Sequence, residues 1–371
     1  MKNYGKSTML NGRYGSNMLE FYKNKKVLIT GHTGFKGSWL SKILLMSGAE
    51  LCGLSKEPIT NPNLFSILEL EKHMVSIIGD VRNYQDIERV VQEFKPEIVF
   101  HLAAQPLVIE SYKNPKDTFE TNIMGTVNLL EASRKCDSVK SIINITTDKV
   151  YENKEWEWPY RENERLNGYD PYSNSKSCAE LVTSSYIKSF FCENKEIGVS
   201  TARAGNVIGG GDFAVDRIVP DCIRAAIGGI NVMIRNPYSV RPYQHVFEAI
   251  SAYLLLAERQ YKNNNYMGSY NIGPNEEGCV TTKYIVEEFC ELWGENLKWE
   301  SIQLQEKVHE SNFLKLDCSK IRTKIGWVPI LNIDDAIRLT IEWTKEFYYG
   351  TDIINLSERH IKEYFGGKAD V

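Results

Sequence analysis

The chain is predicted to fold as an α/β protein with a doubly wound parallel sheet of the Rossmann type and a second, smaller mixed α/β lobe. Three observations predict this. Short β-branched runs alternate with helical patterns through the first half, a glycine-rich turn joins the first strand to the first long helix, and the alternation breaks after Asn206. A chain of 371 residues is long enough for a large core and two lobes. Its 42% hydrophobic and 25% charged residues are ordinary for a globular protein.

The first strand, Lys26–Thr30, contains the apolar run Val27-Leu28-Ile29 and leads into Gly31-His32-Thr33-Gly34-Phe35-Lys36-Gly37. A helical pattern, Ser38–Leu45, follows directly. Glycines at 31, 34 and 37 let the backbone turn tightly and approach a pyrophosphate, which sits on the free N–H groups of the helix start. Thr33, Phe35 and Lys36 belong to the same dinucleotide-binding turn. Further strands are expected at Glu50–Leu54, Val75–Gly79, Ile98–Leu102, Ser141–Thr146 and Gly198–Arg203, with helices between them such as Asp86–Phe94 and Asp117–Lys135. After the second strand, Ser55 and Lys56 stand where NAD-selective folds carry an acid. They would equally accommodate a 2′-phosphate, so these residues leave NAD and NADP both open. Asp80 and Val81 are expected to flank adenine, and Leu102, Ala103 and Ala104 to line the pyrophosphate side. Gln105, Thr121, Ala204 and Gly205 complete the expected cofactor set.

Gly209-Gly210-Gly211-Asp212 and Asn236-Pro237 mark loops beyond the regular region. The dinucleotide-binding domain is assigned residues 21–205 and 236–274, which return the apolar helix His245–Arg259 and the strand Ser269–Gly273 to the first lobe. The substrate lobe is assigned 206–235 and 275–330, and 331–371 a C-terminal helical segment. Residues 1–20 read as a poorly ordered tail without the apolar centre of a secretory signal, and both Met1 and Met18 stand open as the native start.

Bulk properties exclude several classes. A net charge of −4 gives no electrostatic footprint for nucleic acid. No apolar run approaches the ~18–20 residues that span a bilayer. The 8 cysteines are scattered without a Cys-x-x-Cys pair, which argues for reduced thiols in a cytoplasmic protein and against a metal site. His101 and His245 are read as structural.

Two segments carry chemistry. Tyr172 and Lys176 are four apart, which puts both on one helix face, where an ammonium favours the phenolate needed for a base. The strand Ser141–Thr146 runs out into Thr147-Asp148-Lys149, at the carboxyl end where open α/β sheets bind ligands. Asn206, Arg217, Arg235 and Arg241 are candidates to hold a substrate pyrophosphate, since arginine forks match phosphate oxygens. Gln105 joins them on the substrate side, and Glu310 is a candidate to accept from the nucleotide ribose.

The glycine turn, Thr147 after its strand and the Tyr172/Lys176 pair together resemble the extended short-chain dehydrogenase/reductases, and Thr147-Asp148 resembles their sugar-nucleotide 4,6-dehydratases. Longer blocks are similar to the CDP-glucose branch: Gly31–Leu40, His101–Val108, Thr147–Lys149, Arg203–Asp212 and Arg241–Val246. The likeness runs from about Phe21 to beyond Trp327. It implies bound NAD, a nucleotide-sugar substrate, Tyr172 as the base at C4, Asp148 as the acid at C6 and Lys149 as the positional candidate for the base at C5. Val150 and Tyr243 stand where that branch carries Cys and Trp, and Ala249 and Ala252 where it carries Pro and Gly. None of the four is read as supplying a proton or charge, so they bear on packing or pocket shape. An epimerase or simple dehydrogenase on the same scaffold is the alternative, and it needs no pair at Asp148-Lys149. A cofactor-binding scaffold without catalysis fits poorly with intact Thr147, Asp148, Tyr172 and Lys176.

A homodimer or dimer of dimers is expected. Ile123, Val127, Leu129 and Leu130 on one helix, and Leu181, Val182, Tyr186 and Ile187 on another, put apolar side chains on more faces than a sheet-covering helix needs.

Overall fold

Twelve strands run along the chain in a computed structural model that describes residues 17–192, 197–302 and 312–366. They are β1 (Lys26–Thr30), β2 (Glu50–Ser55), β3 (Val75–Ile78), β4 (Ile98–His101), β5 (Ser141–Ile145), β6 (Gly198–Ala204), β7 (Asn206–Ile208), β8 (Val232–Ile234), β9 (Val240–His245), β10 (Gly268–Ile272), β11 (Cys279–Thr281) and β12 (Trp299–Ser301). Seven form one sheet in the order β10-β6-β5-β4-β1-β2-β3, and every pairing in it is parallel. Strands buried on both faces must be apolar along their whole length. β4, β5 and β6 are accordingly buried at every residue. All six strands expected in the first half lie within one residue of their predicted limits.

The strand order reverses at β1, which pairs with β2 on one side and β4 on the other. A crevice opens outside the carboxyl ends at such a reversal. Helices Phe35–Met46 and Val246–Lys262 pack one face of the sheet in the largest core, with Trp39, Phe247, Trp327 and Trp343. Helices Tyr84–Phe94 and Gly125–Arg134 close the opposite face around Ile87, Val90, Leu129 and Leu130. Gln260, fully buried, donates to the Ser141 hydroxyl and to the Ile142 and Gly198 carbonyls, so one amide fixes the amino ends of β5 and β6.

Two small sheets, β11-β9-β7 and β12-β8, stand beside the large one. They share a second core containing Ile208, Val219, Tyr243, Phe289 and Ile337. Two boundaries need correction. Residues 240–245 were expected with the dinucleotide-binding lobe, yet β9 pairs with β7 and β11, and Tyr243 packs in the second core. The tail was drawn through residue 20, whereas Asn17–Glu20 forms a helical turn. Met18 is buried in the main core, and the Tyr22 hydroxyl donates to the Leu254 carbonyl at 2.6 Å. An apolar side chain with a place in the core is ordered by its burial. Residues 1–16 lie outside the described ones. No helix among the described residues is long and apolar enough to cross a membrane.

Candidate active site

The turn after β1 is closed by glycines that nothing larger replaces. Gly31 has φ +78°, and a Cβ there would lie 2.7 Å from the Ala103 nitrogen. A Cβ on Gly37 would lie 2.1 Å from the Gly31 carbonyl oxygen. The helix Phe35–Met46 begins at Gly34 with no side-chain cap, which leaves its first N–H groups directed into the crevice. The residues therefore fit a dinucleotide pyrophosphate. Thr121 adds a buried hydroxyl that lacks a partner among the described residues.

At the far end of the crevice, Thr33 Oγ1 contacts Ser55 Oγ at 2.8 Å and donates to the Lys56 carbonyl at 2.9 Å. The Lys56 ammonium pairs with Asp80 at 3.3 Å. Burial opposes ionisation of Asp80, but the Arg82 guanidinium and backbone N–H, with Lys56, outweigh it and hold the carboxyl down at about 2. Lys56 thus already has an anionic partner, and a carboxylate stands where a 2′-phosphate would bring further negative charge. This favours NAD over NADP. Val81 is buried in the core beneath, against Gly125. On the opposite side, Leu102 N bonds the Thr30 carbonyl and Ala103 N the Thr30 hydroxyl, which draws Leu102, Ala103 and Ala104 over the glycine turn.

Beyond β5 the chain enters a cavity of about 380 Å³ whose wall includes Thr147, Lys149, Tyr172, Asn206, Arg217, Arg235 and Arg241. Ala204, Gly205, Phe35 and Lys36 also line it, joining the cofactor crevice to the cavity. Thr147 caps the short turn Asp148–Val150 by accepting from Lys149 N. Asp148 is wholly buried: its Oδ1 accepts from Thr147 Oγ1 at 3.0 Å and from Lys149 Nζ at 3.0 Å, while Oδ2 has no partner among the described residues. Lys149 Nζ also donates to Asn206 Oδ1 at 3.2 Å.

Asp170 opens the helix Pro171–Tyr186 by accepting from Ser173 N, and Pro171 takes the first turn, where its missing N–H costs nothing. That start directs Tyr172 into the cavity and Lys176 beneath it. Burial raises the Tyr172 phenol to about 12, against the lowering effect of its hydrogen bond with Thr147. Burial lowers the Lys176 ammonium to about 7; nearby Lys36 lowers it further and Glu180 opposes the change. Lys176 Nζ donates to the Ile145 carbonyl at 3.1 Å. Lys36 is itself brought down to about 8 by burial and by Arg217.

Not every predicted residue reaches the cavity. Gln105 spends its amide within its own loop, donating to the Leu107 carbonyl and Thr118 and accepting from Leu107 N, and it is absent from the cavity wall. Glu310 lies outside the described residues. The arginines arrive already engaged, Arg217 with Asp212 at 2.9 Å, Arg235 with Asp216 at 2.6 Å and Arg241 with the Val240 carbonyl at 2.9 Å. His101 is structural, held between Thr30 and Thr126, and burial depresses it to about 3. His245 caps the helix Val246–Lys262. Sequence reasoning missed Asp212, Asp216 and Asp221 on the wall; Asp216 and Asp221 had no signal beyond nearby arginines, whereas Asp212 closes the block Arg203–Asp212. It also missed Tyr243, although this residue lies inside a recognised block.

Comparison with known proteins agrees with this geometry. A family model described as GDP-mannose 4,6 dehydratase matches residues 28–340. A CDP-glucose 4,6-dehydratase of Salmonella typhimurium is 46% identical over 93% of this chain and 97% of its own length. A CDP-paratose 2-epimerase of Salmonella typhi is 30% identical over 86% of this chain and 99% of its own. Among solved structures, a Thermus thermophilus UDP-glucose 4-epimerase complexed with NAD superposes with a TM-score of 0.75 at 26% identity, covering 86% of this chain and 99% of its own. A dTDP-glucose 4,6-dehydratase from Streptomyces venezuelae shares the fold with a TM-score of 0.76 at 21% identity, over 86% of this chain and 97% of its own. With a glycine turn shaped for a dinucleotide, a tyrosine–lysine pair and an acid–base pair at one strand end, the chain belongs to the GDP-mannose 4,6-dehydratase family of extended short-chain dehydrogenase/reductases.

Proposed function

We propose that the chain dehydrates CDP-D-glucose to CDP-4-keto-6-deoxy-D-glucose with NAD as cofactor, in deoxysugar biosynthesis in the cytoplasm. The observation that carries this reading is the hydrogen-bonded set Thr147, Asp148 and Lys149 at the carboxyl end of β5, with Thr147, Lys149 and Tyr172 on the wall of one cavity and Asp148 buried off that wall. The 46% identity to a CDP-glucose 4,6-dehydratase supports the choice of nucleotide.

Gly31, Gly34, Gly37 and the first N–H groups of the helix after them would hold the NAD pyrophosphate, and Ser55 and Asp80 its adenosine end. NAD held there would supply the hydride acceptor for oxidation at C4 and, reduced, the hydride donor for C6. Tyr172 removes the C4 hydroxyl proton, with Thr147 hydrogen-bonded to the phenol and Lys176 beneath it. The ketone formed at C4 acidifies C5–H. Lys149 takes that proton, and Asp148 serves as the acid that donates to the C6 hydroxyl so that it leaves as water. Arg217, Arg235 and Arg241 are the candidate anchors for the substrate pyrophosphate.

Incubation of the purified protein with CDP-glucose tests the reading. It predicts the alkali-induced absorbance of a 4-keto sugar. Recovery of a C4-epimerised sugar without water loss would establish the epimerase alternative instead.

The assembly we propose is a homodimer, or a dimer of dimers, through the helical stretches Asp117–Lys135 and Tyr172–Phe191. Exposed Leu181, Met124 and Phe190, with half-buried Ile123, Val127, Val182, Tyr186 and Ile187, support it. Leu129 and Leu130 are no part of that surface, being buried in the chain's own core. A dimer mass in light scattering at micromolar concentration is expected, and a monomer mass would rule it out.

A further inference from the structure

Lys149 is tied to groups outside the large sheet. Asn206 begins β7, and in the register of the small sheet it stands opposite Tyr243 on β9. Tyr243 is buried, lines the cavity wall and hydrogen-bonds the Asn206 side chain. Its hydroxyl also meets Thr282 Oγ1 at 3.4 Å, and Thr282 Oγ1 meets Ser239 Oγ at 2.9 Å. The chemistry of the donors orients this chain of contacts. Lys149 Nζ donates to Asn206 Oδ1 at 3.2 Å, so the amide presents its oxygen to the lysine. The other end of the same amide, Nδ2, is a donor only, so the Tyr243 oxygen accepts from it and the phenol proton turns to Thr282.

An amine nitrogen has four tetrahedral positions. Cε fills one, and the N–H groups aimed at Asp148 Oδ1 (3.0 Å) and Asn206 Oδ1 (3.2 Å) fill two more. The fourth is left for the cavity. Were the Asn206 amide reversed, its NH₂ would face the lysine and release the side chain from this direction.

We propose that Asn206 and Tyr243 are positioning residues for Lys149: the phenol locks the amide, and the amide aims the open position of the Lys149 nitrogen at the C5 hydrogen of the substrate. The proposal rests on the reading of Lys149 as the C5 base. In the step it serves, the C5–H bond breaks and an N–H bond forms on Lys149. The freed electron pair makes the C5–C6 double bond, and the C6 hydroxyl leaves as water with the proton of Asp148. Tyr243, read from the sequence as a change of packing, brings a hydroxyl that accepts a hydrogen bond, which a tryptophan indole does not do.

The test is Tyr243→Phe in the intact NAD-loaded enzyme, with C4 oxidation and C5 proton removal measured separately. Rapid mixing with CDP-glucose follows the reduced-nicotinamide absorbance, and substrate deuterated at C5 reports the elimination. C4 oxidation is expected to stay within about twofold, while C5 proton removal slows roughly tenfold, a part of the 10²–10⁴ that general-base catalysis contributes. The C5 isotope effect then grows and reduced cofactor accumulates. A purely structural lesion would slow both steps together and leave the C5 isotope effect unchanged; that result, or normal elimination, overturns the proposal. Should Tyr243→Phe fail to fold, Asn206→Ala is read by the same two rates, with a larger loss expected at C5 alone. Lys149→Met separates the underlying reading: normal elimination by that variant removes Lys149 as the base, whereas its loss alongside an unaffected Tyr243→Phe overturns only the positioning role.

Discussion

One turn of the helix Pro171–Tyr186 separates two buried charges that the fold treats differently. Glu180 is saturated. It pairs with Arg203 through Nε at 2.9 Å and Nη2 at 2.8 Å, and accepts from Thr146 at 2.5 Å and Thr201 at 2.7 Å. Burial works against its charge, yet Arg203 and the two hydroxyls hold its carboxyl below the usual range. Lys176 has one carbonyl for three N–H groups, and burial brings it to about 7. Asp148 Oδ2 and Thr121 Oγ1 have no hydrogen-bond partner among the described residues. Glu180 and Arg203, which tie β6 to the helix, are fully paired with each other, because an orphaned charge in the core is costly. Lys176, Asp148 and Thr121 keep hydrogen-bonding capacity, and we read that capacity as available to ligand atoms.

Variants on the two sides of this helix should fail in different ways. Tyr172→Phe is expected to give the largest functional loss. No group then receives the C4 proton, so reduction of bound cofactor by CDP-glucose should fall by at least ~10²–10⁴, with the unfolding midpoint little changed. A normal burst of reduced nicotinamide would break the assignment. Glu180→Ala should do the reverse and act first on stability. It strands the Arg203 guanidinium in the core, a loss of about 3–5 kcal/mol in urea unfolding. A variant as stable as the parent would show that the pair is dispensable. Gly37→Ala should lower cofactor affinity, because the new Cβ meets the Gly31 carbonyl at 2.1 Å. Titration calorimetry with NAD checks this, and unchanged affinity would contradict the tight turn.

The smallest effect is in pH dependence. Lys176 titrates at 10.5 when unfolded and at about 7 in the native state. Between these values the unfolded chain binds more protons, so this residue makes stability rise with pH from about 7 upward. Lys176→Met should lose that component while losing activity. Urea midpoints at pH 7 and 9 measure it, and equal slopes for the two proteins would show that the lysine carries no such cost.

The large sheet was legible in the sequence because its strands are continuous apolar runs and its first turn needs glycine. The small sheets were not. β7, β8, β11 and β12 are three residues each, too short for a period-two pattern to register. The Tyr172–Lys176 pair was visible from helical spacing, but the Lys149–Asn206 bond joins residues 57 apart in sequence and depends on how the two lobes meet. Gln105 shows the converse: its position fitted the site, but two nearby acceptors, the Leu107 carbonyl and the Thr118 hydroxyl, and one donor, Leu107 N, claim the side chain first.

The division of labour at the end of β5 is the central claim, and Asp148→Asn tests it most directly. The substitution keeps the side chain's shape beside Thr147 and Lys149 but removes the acid. Rapid mixing of this variant with CDP-glucose should still show reduced nicotinamide from C4 oxidation, while release of the 4-keto-6-deoxy sugar falls by about 10²–10⁴, the contribution of a positioned general acid. Near-normal release of that product by Asp148→Asn would contradict the account.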